Sequence, residues 1–252
     1  MYRSAPYVEE FCLRAGRVAA ALTDAYEIIL VNDGSPDDSL RVALALAGRD
    51  AHIRVVDLSR NFGHHKALMT GMARARGELV FLIDCDLEEE PEWLGPFHEQ
   101  LEAQQCDVVY GVQRERKGNW LERASGRLFF SVFNHLLTHP IPANVVTARL
   151  MTRRYVRALV SHEDQEINLA GLWMLTGFDQ RPALITKLSR SSSSYTFRKR
   201  VSIFVNAITS FSNRPLLYIF QLGVGVMVLS AAAGITLFYR RLTGQVGVPG
   251  WA

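Results

Sequence analysis

Asp84 and Asp86 are the residues of this 252-residue chain whose type and spacing point most directly to chemistry. They follow the apolar run Leu79–Ile83, and on an extended backbone residues i and i+2 project to the same side. Two carboxylates placed in this way can converge on one ligand. Such a pair of hard oxygen donors suits Mg2+ or Mn2+ bridging the oxygens of a diphosphate. The plainer alternative is a helix cap, since Glu88, Glu89, Glu90 and Pro91 read as a helix start. Two more runs end in a similar manner. Glu27–Val31 leads into Asn32-Asp33-Gly34-Ser35, and Ile53–Asp57 leads into a polar stretch containing Asn61 and Gly63. Among the cations, Arg149, Arg190, Arg198 and Lys199 are candidates for a phosphate group, the arginine forks being best matched to its oxygens. For each of these singly, a headgroup or surface role competes. His64 and His65 are adjacent, so on a helix they face different directions, and without a spaced third ligand they do not read as a metal site. Lys66 reads as a helix-surface lysine.

The elements that must carry these residues alternate between two periods. Short β-rich runs at Glu27–Val31, Ile53–Asp57, Leu79–Ile83 and Asp107–Tyr110 are separated by Asp38–Ala47, His65–Ala75 and Pro91–Ala103, where apolar residues recur at helical spacing. Apolar strands without polar alternation, interleaved with helices, indicate an α/β fold: a mostly parallel sheet covered by helices on both faces. Sheets of that kind bind ligands beyond the carboxyl ends of their strands. Acidic residues close three of these strands on that rim.

Composition narrows the function classes. A hydrophobic fraction of 48% excludes a disordered chain, and three scattered cysteines exclude a disulfide scaffold. No G-x-G-x-x-G or Walker A sequence is present, which removes support for a dinucleotide oxidoreductase or P-loop nucleotidase. The formal net charge of +3 is unevenly spread: Asp179 is the last acidic residue, and nine basic ones follow it. Leu216 to Tyr239 then runs 24 residues without a charge, long enough as a helix to cross a hydrocarbon core of ~30 Å. The basic tail is therefore expected to face a membrane rather than nucleic acid. Val201 to Asn213 places Ile203, Phe204, Ala207, Ile208 and Phe211 at helical spacing, which predicts an interfacial helix. Four basic residues before the span (Arg198, Lys199, Arg200, Arg214) against two after it (Arg240, Arg241) favour a cytoplasmic catalytic domain.

Taken in order, three stretches resemble glycosyltransferase family 2: Glu27-Ile-Ile-Leu-Val-Asn-Asp-Gly-Ser-Pro-Asp-Asp-Ser39, Leu58-Ser-Arg-Asn-Phe-Gly-His-His-Lys-Ala67 and Gly77-Glu-Leu-Val-Phe-Leu-Ile-Asp-Cys-Asp-Leu-Glu88. They are similar in particular to its polyprenyl-phosphate branch, which includes dolichyl-phosphate mannose synthase. The resemblance continues through Asp107–Arg116, Arg149-Leu-Met and Ala207–Pro215. It implies a GT-A fold and inverting transfer from a nucleotide sugar, a UDP-sugar being favoured over GDP-mannose, to a polyprenyl phosphate. It further implies that Asp33, Gly34, Ser35, Asp57, Asn61 and Asp84 bind the nucleotide sugar. Asp86 with Asp84 would hold Mg2+ or Mn2+, Arg149 would be catalytic, and Arg190, Arg198 and Lys199 would meet the acceptor phosphate or the interface. Homo-oligomerisation is left open.

One position departs from the family. Where an acid often stands before Arg-Leu-Met, this chain has Thr147-Ala148, and threonine cannot serve as a carboxylate base. A phosphate acceptor with a second pKa of about 6 is mostly ionised at neutral pH and hardly needs one. Glu163, Asp164 and Glu166 are alternative acids. Two competing readings are a haloacid dehalogenase-type phosphatase, which also uses Asp-x-Asp after a strand, and a non-catalytic membrane scaffold of the same fold. The expected layout is a catalytic domain over 1–190, a basic juxtamembrane segment over 191–214, a membrane helix over 215–239 and a loop over 240–252. The family's opening strand has no counterpart before Met1, and 247–252 resembles a loop leading to a second span, so an upstream strand and a downstream apolar segment are expected.

Overall fold

The computed structural model describes residues 1–113, 144–162, 169–186 and 214–243. Helix α1 (Val8–Leu22) is followed by β1 (Ile28–Asn32), α2 (Ser39–Ala47), β2 (Ile53–Asp57), α3 (His64–Arg74) and β3 (Leu79–Leu82). A short 3-10 turn at Pro91–Trp93 leads into α4 (Leu94–Gln104) and β4 (Val108–Gln113). Strand β5 (Val145–Thr152), α5 (Arg153–Val160), α6 (Leu169–Leu175), β6 (Gln180–Ile185) and the long α7 (Arg214–Leu242) complete the described elements.

β1 and β2 pair in parallel, with Asn32 opposite Asp57 at their carboxyl ends. The other four strands form a mixed sheet in the order β3-β5-β4-β6. The antiparallel member is β5, which lies between β3 and β4 and runs antiparallel to both, while β4 and β6 are parallel. Met1 meets β1 in a parallel pattern: its ammonium donates to Val31 O and its carbonyl accepts from Asp33 N. Beyond that residue the described strands divide into two hydrogen-bonded sheets.

Side chains alternate across the mixed sheet as the pleat requires. Leu82, Val108, Tyr110 and Met151 join Met69, Met72, Tyr155, Leu159 and Trp173 in a core on the α3, α5 and α6 side. Val109, Val146, Ala148 and Leu150 pack with Phe97 and Leu101 of α4 on the other. Both faces are therefore covered, which explains the lack of polar alternation in these strands. A third core joins Val8, Phe11 and Cys12 of α1 to Leu30, Ala43, Ile53 and Leu87. Full burial of such a side chain contributes roughly 1.5–3 kcal/mol, so Leu87 firmly ties the loop after β3 to α1.

Helix α7 differs from every other element. It carries the only described helix long and apolar enough to cross a membrane, Leu216–Leu242, and none of that segment is buried against the protein. The expected interfacial helix at 201–213 and the acids Glu163, Asp164 and Glu166 lie outside the described residues.

Candidate functional site

The rim is assembled loop by loop from the carboxyl ends of β1, β2 and β3. Asp37 organises the first loop. Its carboxylate accepts from the Ser35 and Ser39 hydroxyls, both at 2.5 Å, and from the amides of Ala5 and Ser39. Desolvation works to raise its pKa, but these hydrogen bonds prevail and hold it well below the usual carboxylate range. The Ser35 hydroxyl also accepts from Arg3 N at 2.7 Å, which seats the N-terminal segment on the loop.

Asn32 and Asp57, opposite each other in register, are joined by a hydrogen bond from Asn32 Nδ2 to Asp57 Oδ1 at 2.8 Å. Asp33 is buried, and its two carboxylate oxygens accept from the amides of Phe62 (2.7 Å) and Gly63 (3.0 Å). Gly34, at φ +57°, lies so close to the Arg60–Asn61 peptide that a Cβ there would fall 2.5 Å from Arg60 C and Asn61 N. Gly63, at φ +99°, turns the chain directly into α3. The first residue of that helix, His64, brings Nε2 to 3.6 Å from Asp84 Oδ1. Asp33, Gly34, Asp57, Asn61 and Asp84, distant in sequence, thus belong to one connected rim, and Ser35 extends it.

Past β3 the chain reverses through Leu87, a non-glycine residue at φ +59° whose side chain is 5% exposed. A positive φ is costly for a branched side chain, and the apolar burial of Leu87 offsets that cost. The turn places Asp86 Oδ1 on the Glu88 amide at 2.9 Å and sends Glu89 inward. Glu89 is 1% exposed, and its Oε1 accepts from the Thr147 amide of β5 at 3.0 Å. Asp84 and Asp86 remain half-buried at the rim. The described residues contain no three-ligand His/Cys/Asp/Glu metal cluster, and two hard carboxylates suit a small divalent cation that takes its other ligands from phosphate oxygens and water. Between them, burial raises the Cys85 thiol, and it pushes Cys12 up to about 12, so both remain protonated.

Arg149 lies below this rim. It pairs with Leu82 of β3 and Tyr110 of β4, is 1% exposed, and sets its guanidinium carbon 3.0 Å from the Trp173 ring centroid. Burial lowers its pKa to about 9, against the opposing influence of Tyr155 and Glu89. Lys66 is exposed on α3. Arg190, Arg198 and Lys199 lie outside the described residues. Sequence reasoning missed His64, Glu89 and Asp37. Only Asp37, in a Ser-Pro-Asp-Asp-Ser stretch ahead of a helix, carried a local signal for its role.

The strand ends of this α/β fold bring paired aspartates beside a glycine-bearing loop, the arrangement of a GT-A enzyme. Residues 2–160 match the Glycosyl transferase family 2 model, and the chain belongs to that family. It is therefore a glycosyltransferase with a GT-A fold, and the phosphatase and scaffold readings fall away. A glycosyltransferase of Mycobacterium tuberculosis is 46% identical over 252 residues, covering all of this chain and 74% of that protein. The undecaprenyl-phosphate 4-deoxy-4-formamido-L-arabinose transferase of Sodalis glossinidius is 27% identical, covering 96% of this chain and 75% of its own length. Among solved structures, the Pyrobaculum calidifontis mannosyltransferase in complex with GDP-mannose and Mn2+ is similar in fold. Its TM-score is 0.55 at 16% identity, with 97% of this chain and 81% of that one covered.

Proposed function

We propose that the protein transfers a sugar from a nucleotide sugar, a UDP-sugar in preference to GDP-mannose, to the phosphate of a polyprenyl phosphate at the cytoplasmic face of a membrane. The observation that carries this reading is the Asp84/Asp86 pair on a rim shared with the Asp33 loop, in a chain that also bears the exposed apolar helix α7. The undecaprenyl-phosphate transferase among the relatives supports the acceptor class.

In this reading Asp33 fixes the Arg60–Gly63 loop, so that Gly34, Ser35, Asp57 and Asn61 offer a firm surface to the nucleoside. Asp84 and Asp86 would hold Mg2+ or Mn2+, and a cation bound there would supply positive charge to the leaving diphosphate. The acceptor phosphate, already ionised, attacks the anomeric carbon from the opposite side, giving inversion without a carboxylate at position 147. Arg190, at the end of a catalytic domain of 1–190, and Arg198 and Lys199, in the segment 191–214 ahead of a membrane helix of 215–239, receive the acceptor at the membrane.

The test incubates membranes containing the protein with polyprenyl phosphate and radiolabelled UDP-, GDP- and dTDP-sugars, followed by organic extraction. Label from a UDP-sugar should enter the organic phase only with both lipid and divalent cation present. Label that stays aqueous with every donor would refute the proposal.

A further inference from the structure

Behind the rim aspartates lies the buried loop carboxylate Glu89. A carboxylate that is 1% exposed is uncommon, and this one sits three residues after Asp86 in the same loop. Its Oε1 holds the Thr147 amide at 3.0 Å, a contact between segments 58 residues apart. It also interacts electrostatically with Arg149, itself 1% exposed. Thr147 and Arg149 are two residues apart on β5 and so share a face of the sheet. The loop is therefore fastened at two points, by Leu87 in the α1 core and by Glu89 on β5, with Asp86 immediately before both.

We propose that Glu89 is a positioning residue for the cation site: clamped on the Thr147 amide and facing Arg149, it sets the reach of Asp86 and supplies at β5 the negative charge that Thr147 lacks. Groups that orient metal ligands commonly change metal affinity by about 10–100-fold when removed. The acid often found at position 147 in the family would stand beside Arg149 on the same strand face. In this chain the charge arrives from the loop instead, and it arrives bonded to the backbone that carries the cation's ligands. The inference rests on the Asp84/Asp86 cation site proposed above.

The test measures Mn2+ binding directly, from the electron paramagnetic resonance signal of free Mn2+, on the full chain in detergent with circular dichroism as a check on folding. Asp86→Asn should abolish binding. Glu89→Ala should weaken it about 10-fold or more. Glu89→Gln, which keeps an acceptor for the amide but loses the charge, should fall between Ala and the parent. Adding Thr147→Asp to Glu89→Gln should recover most of the loss, a rescue that mere loop packing would not produce. If Asp86→Asn removes binding but Glu89→Ala binds Mn2+ within twofold of the parent, the Glu89 proposal is overturned while the cation site stands. If Asp86→Asn leaves binding intact, the cation site falls and the Glu89 proposal falls with it. Should Glu89→Ala fail to fold, Glu89→Gln and its rescue decide the matter: no loss, or loss without rescue, overturns the proposal.

Discussion

Gly34→Ala is the substitution that most directly tests whether the rim is one connected surface. The new Cβ would fall 2.5 Å from both Arg60 C and Asn61 N, whereas ordinary contact begins at 3.4 Å. The Arg60–Asn61 peptide would have to retreat by about 0.9 Å. That peptide is followed at once by the two amides that Asp33 holds at 2.7 and 3.0 Å, so the retreat strains both hydrogen bonds. Loss of one hydrogen bond to a charged group costs about 1.5–3 kcal/mol, and the positive φ at Gly34 adds about 1–2 for an L side chain. The total, about 3–5 kcal/mol, falls on the loop expected to face the nucleoside, so affinity for the nucleotide sugar should drop by roughly 100-fold or more. Gly63 provides the control. It also has a positive φ, but a Cβ there meets nothing within 4 Å. Gly63→Ala should therefore carry only the backbone strain of about 1–3 kcal/mol, an effect of about 5–150-fold. Isothermal titration with the donor identified in the transfer panel measures both. Gly34→Ala binding within threefold of the parent, or Gly63→Ala proving the more damaging of the two, would refute the reasoning.

Asp86→Asn should remove most transfer activity and leave the circular dichroism spectrum unchanged; full activity of that variant in excess chelator would contradict the cation site. Arg149→Met removes a buried charge that faces Glu89, and breaking such an arrangement costs about 3–5 kcal/mol, so the apparent Tm should fall by roughly 6–20 °C; a shift below 2 °C would show that Arg149 is not held by its charge. With a phosphate acceptor, the rate should climb with pH around about 6 and then level off, and Thr147→Ala should be nearly neutral. A loss of several orders of magnitude in Thr147→Ala would place its hydroxyl in the reaction.

The parts of this fold that were legible in the sequence are those fixed by local periodicity. The run Ile53–Asp57 is β2 residue for residue, Asp38–Ala47 differs from α2 by one residue at its start, and His65–Ala75 differs from α3 by one residue at each end. β6 was not legible because Pro182 sits in its middle, and proline argues against a central strand. Among the described strands β6 lies at an edge and pairs with β4 alone, a position that tolerates a proline. β5 was hidden for a different reason. Arg149 interrupts an apolar stretch and reads as a ligand for phosphate, but a strand inserted between β3 and β4 must bury every alternate side chain on each face, including that one. Its cost is partly offset by the Trp173 ring, Tyr155 and Glu89, none of which adjoins it in sequence. The same limit separates the two halves of the site. Asp84 and Asp86 are two residues apart and announce themselves through strand geometry alone. His64 reaches Asp84, Asp33 holds the Phe62 and Gly63 amides just ahead of it, and Glu89 holds the Thr147 amide, all through contacts between segments far apart in the chain, so the aspartates can be read from the chain, while their surroundings have to be read from the fold.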